Sequence, residues 1–155
     1  MKRWIFIVSA AVIVLDQLTK FLILDNLRLL PIKVLPFFNV VLAWNRGISF
    51  GLFNYHNAWV FWILTTIAVI IVAGIFLYAL SQKSQKKTIY LAMIMGGAFG
   101  NIMDRLFHGA VVDFLDFHLY NYHWPAFNVA DSSIVVGVFL LMLDNYRDEK
   151  NHPVS

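Results

Sequence analysis

The sequence contains no cysteine among its 155 residues. This absence excludes disulfide bonds, thiolate catalysis and zinc sites built on cysteine. Charged residues are also scarce, at 14% of the chain, against about 25% in an average soluble domain. The five histidines show none of the close spacings typical of metal ligands. We therefore expect no zinc-dependent catalysis.

Hydrophobic side chains make up 60% of the sequence, which is more than a soluble core of this size can bury. A helix needs about 20 apolar residues to cross the hydrocarbon of a bilayer. The sequence therefore predicts an all-α integral membrane protein with four transmembrane helices, near residues 4–24, 58–80, 88–107 and 131–146. A single membrane domain, 1–155, then includes two outer connections, near residues 25–57 and 108–130.

A cleaved signal peptide is the alternative for the N-terminus, because Lys2 and Arg3 precede an apolar stretch with small residues at 9–11. Apolar residues continue on both sides of that small-residue patch, and no soluble domain follows it. These features favour a retained first span.

Basic residues cluster on one side of the four predicted spans, namely Lys2, Arg3, Lys83, Lys86, Lys87, Arg147 and Lys150. The outer connection near 108–130 has no lysine or arginine. By the positive-inside rule, both termini are predicted to be cytoplasmic. The net charge of +3 comes largely from these anchors, so we expect no nucleic-acid partner.

The first outer connection contains a segment rich in β-forming residues, 37–44, followed by a turn signal from Asn45 to Gly47. This pattern predicts a small extracytoplasmic β-element.

Polar residues inside the apolar spans are costly in lipid and are therefore functional candidates. At about 1.5 Å per helical residue, three spans carry such residues to one level near the outer side. The residues are Asp16 and Lys20 in span one, Asn101, Asp104 and Arg105 in span three, and Asp131 in span four. With Asp113 and Asp116 from the apolar segment after span three, they predict one outward-facing polar pocket.

Purely structural interpretations of these residues stay open. Asp16 and Lys20 are spaced as an i, i+4 ion pair, and Asp104 with Arg105 fits the end of a helix. Asp131 fits a helix cap. Gly96 and Gly100, with Gly97 beside them, have the spacing of a close helix–helix contact.

The segment Gly47 to Gly51 matches the G-x-S-x-G pattern of serine hydrolases, but no α/β sheet can be built around it. The remaining chemistry is a two-carboxylate mechanism. Two neighbouring aspartates share one proton, so that one activates water while the other polarises the scissile carbonyl. We expect Asp113 to hold the shared proton more often, because the helix N-terminus at Asp131 favours its ionised form.

At these residues the sequence resembles the lipoprotein signal peptidases, also called signal peptidase II, over nearly its whole length. The matching elements are Asp16-Gln17 with Thr19-Lys20, Asn45 with Gly47 and Phe50-Gly51, Gly100-Asn101 with Asp104-Arg105, Val112-Asp113-Phe114, and Phe127-Asn128 with Ala130-Asp131-Ser132. Ser49, where many members carry alanine, is a small departure from the family pattern.

The resemblance implies an aspartic endopeptidase without metal or cofactor, located in the bacterial plasma membrane with its active site near the outer face. It implies that Asp113 and Asp131 are catalytic and that the following residues support or line the site: Asp16, Asn45, Asn101, Arg105 and Asn128. The implied substrates are diacylglyceryl-modified prolipoproteins, cut just before the lipidated cysteine. We expect a monomer whose other partners are membrane lipids.

Two non-enzymatic interpretations compete with this one. In a small ion-coupled transport subunit, the outer aspartates would bind ions. In a scaffolding subunit held by Gly96 and Gly100, changes of the aspartates to asparagine would be harmless.

Overall fold

A computed structural model describes residues 2–47 and 58–151 of the chain. In these residues the α-helices are α1 (Arg3–Asp25), α2 (Ala58–Ser81), α3 (Gln85–His108) and α4 (Val129–Asn151). The strands are β1 (Ile32–Leu35), β2 (Phe38–Asn45), β3 (Val111–Leu119) and β4 (Tyr122–His123). A single 3₁₀ turn, Leu27–Leu29, connects α1 to β1. The protein is thus mostly helical, with a small sheet.

Helix α3 lies at the centre of the bundle and packs against α1, α2 and α4. Glycines permit its closest approaches, since a Cβ atom at Gly96 would lie 2.8 Å from the carbonyl oxygen of Ser9 in α1. Gly97 faces the carbonyl oxygen of Ala130 in α4. The prediction that these small residues mediate close helix packing is confirmed.

Among the described residues, three helices are long and apolar enough to cross a membrane, namely Arg3–Asp25, Trp59–Ser81 and Val129–Lys150. Helix α3 has 24 residues, but the polar and charged side chains near both of its ends lower its hydropathy. Three of the four predicted spans are thereby supported, and a fourth crossing by α3 stays a prediction.

Helix α4 is longer than the apolar segment that predicted it, since it begins at Val129 and continues to Asn151. The sequence placed the start at Asp131 because that residue opens the apolar run. The side chain of Asn128, just before the helix, accepts a hydrogen bond from the backbone N–H of Asp131 at 2.9 Å. Asn128 is therefore the cap, and Asp131 is the third residue of the first turn.

The sheet has the strand order β1-β2-β3-β4, and all neighbouring strands are antiparallel. The predicted strand in residues 37–44 is confirmed as β2. Its main partner, β3, lies in the connection near 108–130, where we predicted no strand. Residues 111–114 are all buried, so β3 lacks the alternating polar pattern of a strand with one exposed face.

The predicted turn after β2 is present, because the side-chain oxygen of Asn45 accepts a hydrogen bond from the N–H of Gly47 at 2.8 Å. Gly47 has a positive φ of 83°, which favours glycine. The residues that follow, including Ser49, Phe50, Gly51 and His56, lie outside the described residues, and so does most of the G-x-S-x-G match.

We predict that Gly97→Ala destabilises the protein by about 1–3 kcal/mol, because the added methyl group overlaps the α4 backbone at Ala130. The matched control is Gly74→Ala in α2, where an added Cβ meets no atom within 4 Å. This control should be neutral or slightly stabilising, since alanine favours helix. Thermal unfolding in one detergent measures both variants, and equal midpoints would contradict the packing argument.

Candidate functional site

A lysine ammonium lies between two carboxylates inside the bundle. Lys20 Nζ is 2.8 Å from an oxygen of Asp16 in α1 and 2.8 Å from an oxygen of Asp104 in α3. The exposed fractions of Asp16, Lys20 and Asp104 are 0%, 2% and 1%. These three residues form what we call the charged triad. The predicted pairing of Asp16 with Lys20 is confirmed, and Asp104 is a second buried partner.

The carboxylates of the triad also bind backbone N–H groups of neighbouring elements. Asp16 accepts a hydrogen bond from the N–H of Ala130 at 2.9 Å. Asp104 accepts one from the N–H of Val112 at 3.0 Å. Ala130 directly precedes Asp131 and Val112 directly precedes Asp113, so the triad holds the backbone next to each predicted catalytic residue.

Asp113 is buried at the inner part of β3. One carboxyl oxygen accepts a hydrogen bond from the side-chain amide of Asn128 at 2.7 Å, and the other accepts one from Asn45 at 2.9 Å. Burial raises the pKa of Asp113 from 3.8 to about 6, and the nearby charge of Asp131 adds to this increase. The two hydrogen bonds lower the pKa, but by less than burial raises it. Asp113 is therefore suited to hold a proton.

Asp131 lies half-buried in the first turn of α4. One of its carboxyl oxygens accepts a hydrogen bond from the side-chain amide of Asn101 at 2.8 Å. The other oxygen is 3.3 Å from the backbone N–H of Asn128, whose own side chain caps the N–H of Asp131. This reciprocal pair is a capping box. Asp131 is therefore not the cap that the sequence suggested, because Asn128 is the cap and Asp131 is its partner in the box.

Asn128 makes hydrogen bonds to both Asp113 and Asp131. Its side-chain amide binds Asp113, and its backbone N–H binds Asp131. The same amide lies 3.1 Å from the side-chain oxygen of Asn101, which also accepts a hydrogen bond from Lys20 at 3.2 Å. Asn101 in α3 therefore makes hydrogen bonds both to α1, through Lys20, and to α4, through Asp131.

Arg105 completes the set, donating a hydrogen bond to the carbonyl oxygen of Asn101 at 3.3 Å. Its guanidinium is close enough to Asp131, Asp104 and Asp113 to interact with their charges. The structure thus brings together all seven residues predicted for the site: Asp16, Asn45, Asn101, Arg105, Asp113, Asn128 and Asp131.

One residue of the predicted pocket lies elsewhere. Asp116 bonds with Asn39 and His123 in the outer part of the sheet, rather than with the group around Asp113. The sequence suggested one pocket because Asp113 and Asp116 share an apolar segment. The pairing of β3 with β2 separates them, since Asp116 is opposite Asn39 and Asp113 is opposite Ala43.

Gln17 is the residue that the sequence reasoning did not assign to the site. Its side-chain amide donates hydrogen bonds to Asp104 at 2.9 Å and to Asp16 at 3.2 Å. Its position directly after Asp16 was the available signal. Within residues 2–47 and 58–151, no three acidic or histidine side chains are grouped so as to hold a metal ion.

Comparisons with known proteins agree on one family. A family model described as signal peptidase (SPase) II matches residues 8–147. The lipoprotein signal peptidase of Alteromonas mediterranea is 45% identical, with 91% of this chain and 79% of that protein covered. That of an Azoarcus species is 44% identical, with 99% and 88% covered.

A solved structure described as a bacterial membrane enzyme by the in meso method at 2.3 Å resolution is similar in fold. It matches with a TM-score of 0.77 and 29% identity, covering 97% of this chain and 92% of that one. A second such structure at 1.9 Å resolution has a TM-score of 0.74 and 30% identity, with 93% of each chain covered.

We predict that Lys20→Met lowers the free energy of unfolding by about 3–5 kcal/mol, because it leaves two carboxylates buried without their counter-ion. The matched control is Lys87→Met, which breaks the partly exposed pair with Asp148 and should cost at most about 1 kcal/mol. Thermal or denaturant unfolding in the same detergent measures the difference. Equal losses for both variants would show that the triad contributes no more than a surface ion pair.

We predict that Asp113 keeps its proton until the pH reaches about 6. Because folding raises this pKa, its contribution to the free energy of unfolding should decline as the pH rises from 3.8 to about 6. Infrared difference spectroscopy should show the C=O stretch of a protonated carboxyl disappearing with a midpoint at about pH 6. Asp113→Asn should lack this band, and a band lost entirely near the ordinary pKa would be evidence against the raised value.

Proposed function

Since the chain belongs to the signal peptidase II family and is a peptidase of lipoprotein processing, we propose that Asp113 and Asp131 perform its hydrolysis as an aspartic dyad. The observation that carries this proposal is the contact of both carboxyl groups with Asn128, through its side chain and its backbone N–H. Two acids joined in this way can act on one water molecule and one carbonyl group.

The different surroundings of the two acids support separate roles. Asp113 is buried, and its raised pKa favours the protonated form. Asp131 lies in the first turn of α4, where the positive end of the helix dipole and the guanidinium of Arg105 supply positive charge. Between pH 3.8 and about 6, Asp113 can therefore supply a proton to the reaction, whereas an isolated aspartate would already be ionised.

In the proposed reaction, water attacks the carbonyl carbon of the scissile amide. Asp131 takes a proton from that water, and Asp113 gives its proton to the carbonyl oxygen, which yields a neutral tetrahedral intermediate. Asp131 then gives its proton to the amide nitrogen, and as the C–N bond breaks, one hydroxyl group of the intermediate gives its proton to Asp113. The products are a carboxylic acid and an amine, and the dyad again shares one proton.

The other residues of the group act as supports in this proposal. Asn45 and Asn128 orient the carboxyl of Asp113, while Asn101 orients that of Asp131. Asp16 positions the first turn of α4 through Ala130, and Arg105 supplies positive charge. No metal or other cofactor takes part.

We propose that the substrates are diacylglyceryl-modified prolipoproteins and that the cut falls just before the lipidated cysteine. Their acyl chains would stay in the outer leaflet while the peptide crosses the dyad. Binding energy from the lipid would thereby align the scissile bond. The enzyme would act as a monomer in the bacterial plasma membrane.

The proposed topology has four spans, both termini in the cytoplasm and the dyad near the outer face. This topology is supported by the position of the helix ends that carry the basic residues. Those ends lie close together, because Ile5 near the start of α1, Ala79 near the end of α2 and Leu91 near the start of α3 form one core cluster. Lys87, near the start of α3, bonds with Asp148, near the end of α4. Helix α3 would cross as the fourth span, shielded from lipid by the helices around it.

The test is cleavage of a diacylglyceryl-modified preprotein by the purified protein in lipid. We expect Asp113→Asn and Asp131→Asn each to reduce the rate by about 10²-fold or more, as for loss of a general acid or base. Asp116→Asn is the matched control, since it removes a buried carboxyl of the same strand outside the dyad and should cleave normally.

Mass spectrometry of the products should place the cut before the lipidated cysteine, and the same preprotein without its lipid should be cut far more slowly. Unfolding curves must show that the variants fold. Normal cleavage by either folded dyad variant would remove that residue from the mechanism.

A further inference from the structure

The end of β3 and the segment that connects it to α4 form an exposed apolar hairpin, which takes no part in the proposed active site. Residues 117–127, which we call the hairpin tip, contain no aspartate, glutamate, lysine or arginine. Tyr120 is 87% exposed, Tyr122 is 85% exposed, and Leu119 and Trp124 are each 69% exposed. Exposed apolar patches of this kind mark interaction sites.

Polar contacts behind the hairpin tip hold it in one arrangement. His123 Nδ1 lies 2.8 Å and 3.0 Å from the two oxygens of Asp116, and Asn39 of β2 donates to the same carboxyl at 3.0 Å. Burial raises the pKa of Asp116, but the hydrogen bonds from His123 and Asn39 outweigh it and lower that pKa. The ring of His118 stacks on that of His123 with centroids 4.9 Å apart. These contacts therefore give the hairpin tip a defined conformation.

This surface is concave. A cavity of about 360 Å³ is lined by Phe37 from the β1–β2 turn and by aromatic, leucine and histidine side chains of the tip. Among the described residues, Nδ1 of His118 is buried without a hydrogen-bond partner. The hollow is thus mostly apolar, with the imidazoles of His118 and His123 among its lining side chains, and it suits amphipathic molecules better than ions.

The apolar surface is continuous with the surface of a membrane-crossing helix. Exposed apolar side chains lead from the end of α1 along the chain to the β1–β2 turn, at Leu27, Leu29, Ile32, Val34, Leu35 and Phe37. β3 starts just after the end of α3 and contacts both α1 and α3. The sheet is therefore attached to the bundle at the end where lipid meets water.

We propose that the hairpin tip docks into the polar–apolar boundary of the bilayer, with Tyr120, Tyr122 and Trp124 among the lipid headgroups. Tyrosine and tryptophan are enriched at this depth, because their rings are apolar and their O–H or N–H groups reach water. The tip has no fixed charge of either sign, so its partner is the interface of zwitterionic lipid rather than an anionic headgroup. The docked tip would hold the outer end of β3, whose inner end carries Asp113.

The absence of cysteine makes this docking measurable, because one introduced cysteine is a unique attachment point for a nitroxide label. Asn121→Cys places the label at the tip without removing an aromatic ring. The protein is reconstituted in zwitterionic vesicles at low protein-to-lipid ratio. Collision of the label with a water-soluble nickel chelate, present on both sides of the bilayer, and with oxygen then reports its depth.

Two labelled controls bracket the result. Lys83→Cys, exposed in the α2–α3 connection, should be fully accessible to the chelate, and Ile70→Cys, exposed on α2, should be shielded from it. The label at residue 121 should be several-fold less accessible to the chelate than the label at residue 83. A rise from about 0.1 M to about 1 M salt should not change this, because no fixed charge holds the tip.

Adding Tyr122→Ser and Trp124→Ser to the Asn121→Cys protein should raise its accessibility toward that of residue 83. A tip label as accessible as that at residue 83 would overturn the proposal. Protection that appears only at high protein-to-lipid ratio would also overturn it, since the tip would then contact a second copy of the chain. The test does not measure cleavage, so its outcome is independent of the dyad.

Discussion

The ammonium group of Lys20 is held between the carboxylates of Asp16 and Asp104, and the end of the helix bundle next to the sheet depends on this interaction. A buried charge is tolerated only when paired and fully hydrogen-bonded. Here each carboxylate also accepts a backbone N–H, from Ala130 in α4 or from Val112 in β3. The same contacts that make burial of the charges possible therefore join α1 and α3 to the two segments that carry Asp113 and Asp131.

This arrangement explains how two acids on different kinds of secondary structure meet. Asp113 comes from a strand and Asp131 from the first turn of a helix, and Asn128 contacts both. Burial favours the neutral form of Asp113, whereas Asp131 lies half-buried in the first turn of α4. Close helix packing also helps to place Asp16, because Gly100 leaves room for its carboxyl group. A Cβ atom added at Gly100 would lie 2.5 Å from an oxygen of Asp16.

The sheet contributes residues to two separate polar clusters, one at each of its ends. Its inner end contributes Asn45 and Asp113 to the candidate active site, and its outer end holds Asp116 with Asn39 and His123. A rigid outer end is consistent with the aromatic hairpin tip as a lipid-facing element. Contact of the hairpin tip with the bilayer surface would then help to position Asp113, one of the two proposed catalytic residues.

The sequence by itself determined the features that depend on composition and on short spacings. These are the lipid environment and three apolar helices, together with the Asp16–Lys20 pair and the turn at Asn45, which are each set within a few residues along the chain. It also predicted the level at which polar groups gather, and the family resemblance singled out Asp113 and Asp131. Only the tertiary structure decided that Lys20 pairs with Asp104, that Asn45 binds Asp113 and that Asp116 belongs to another cluster. Those contacts depend on which helix faces pack and on the register of β2 against β3, and spacing along one sequence does not specify either.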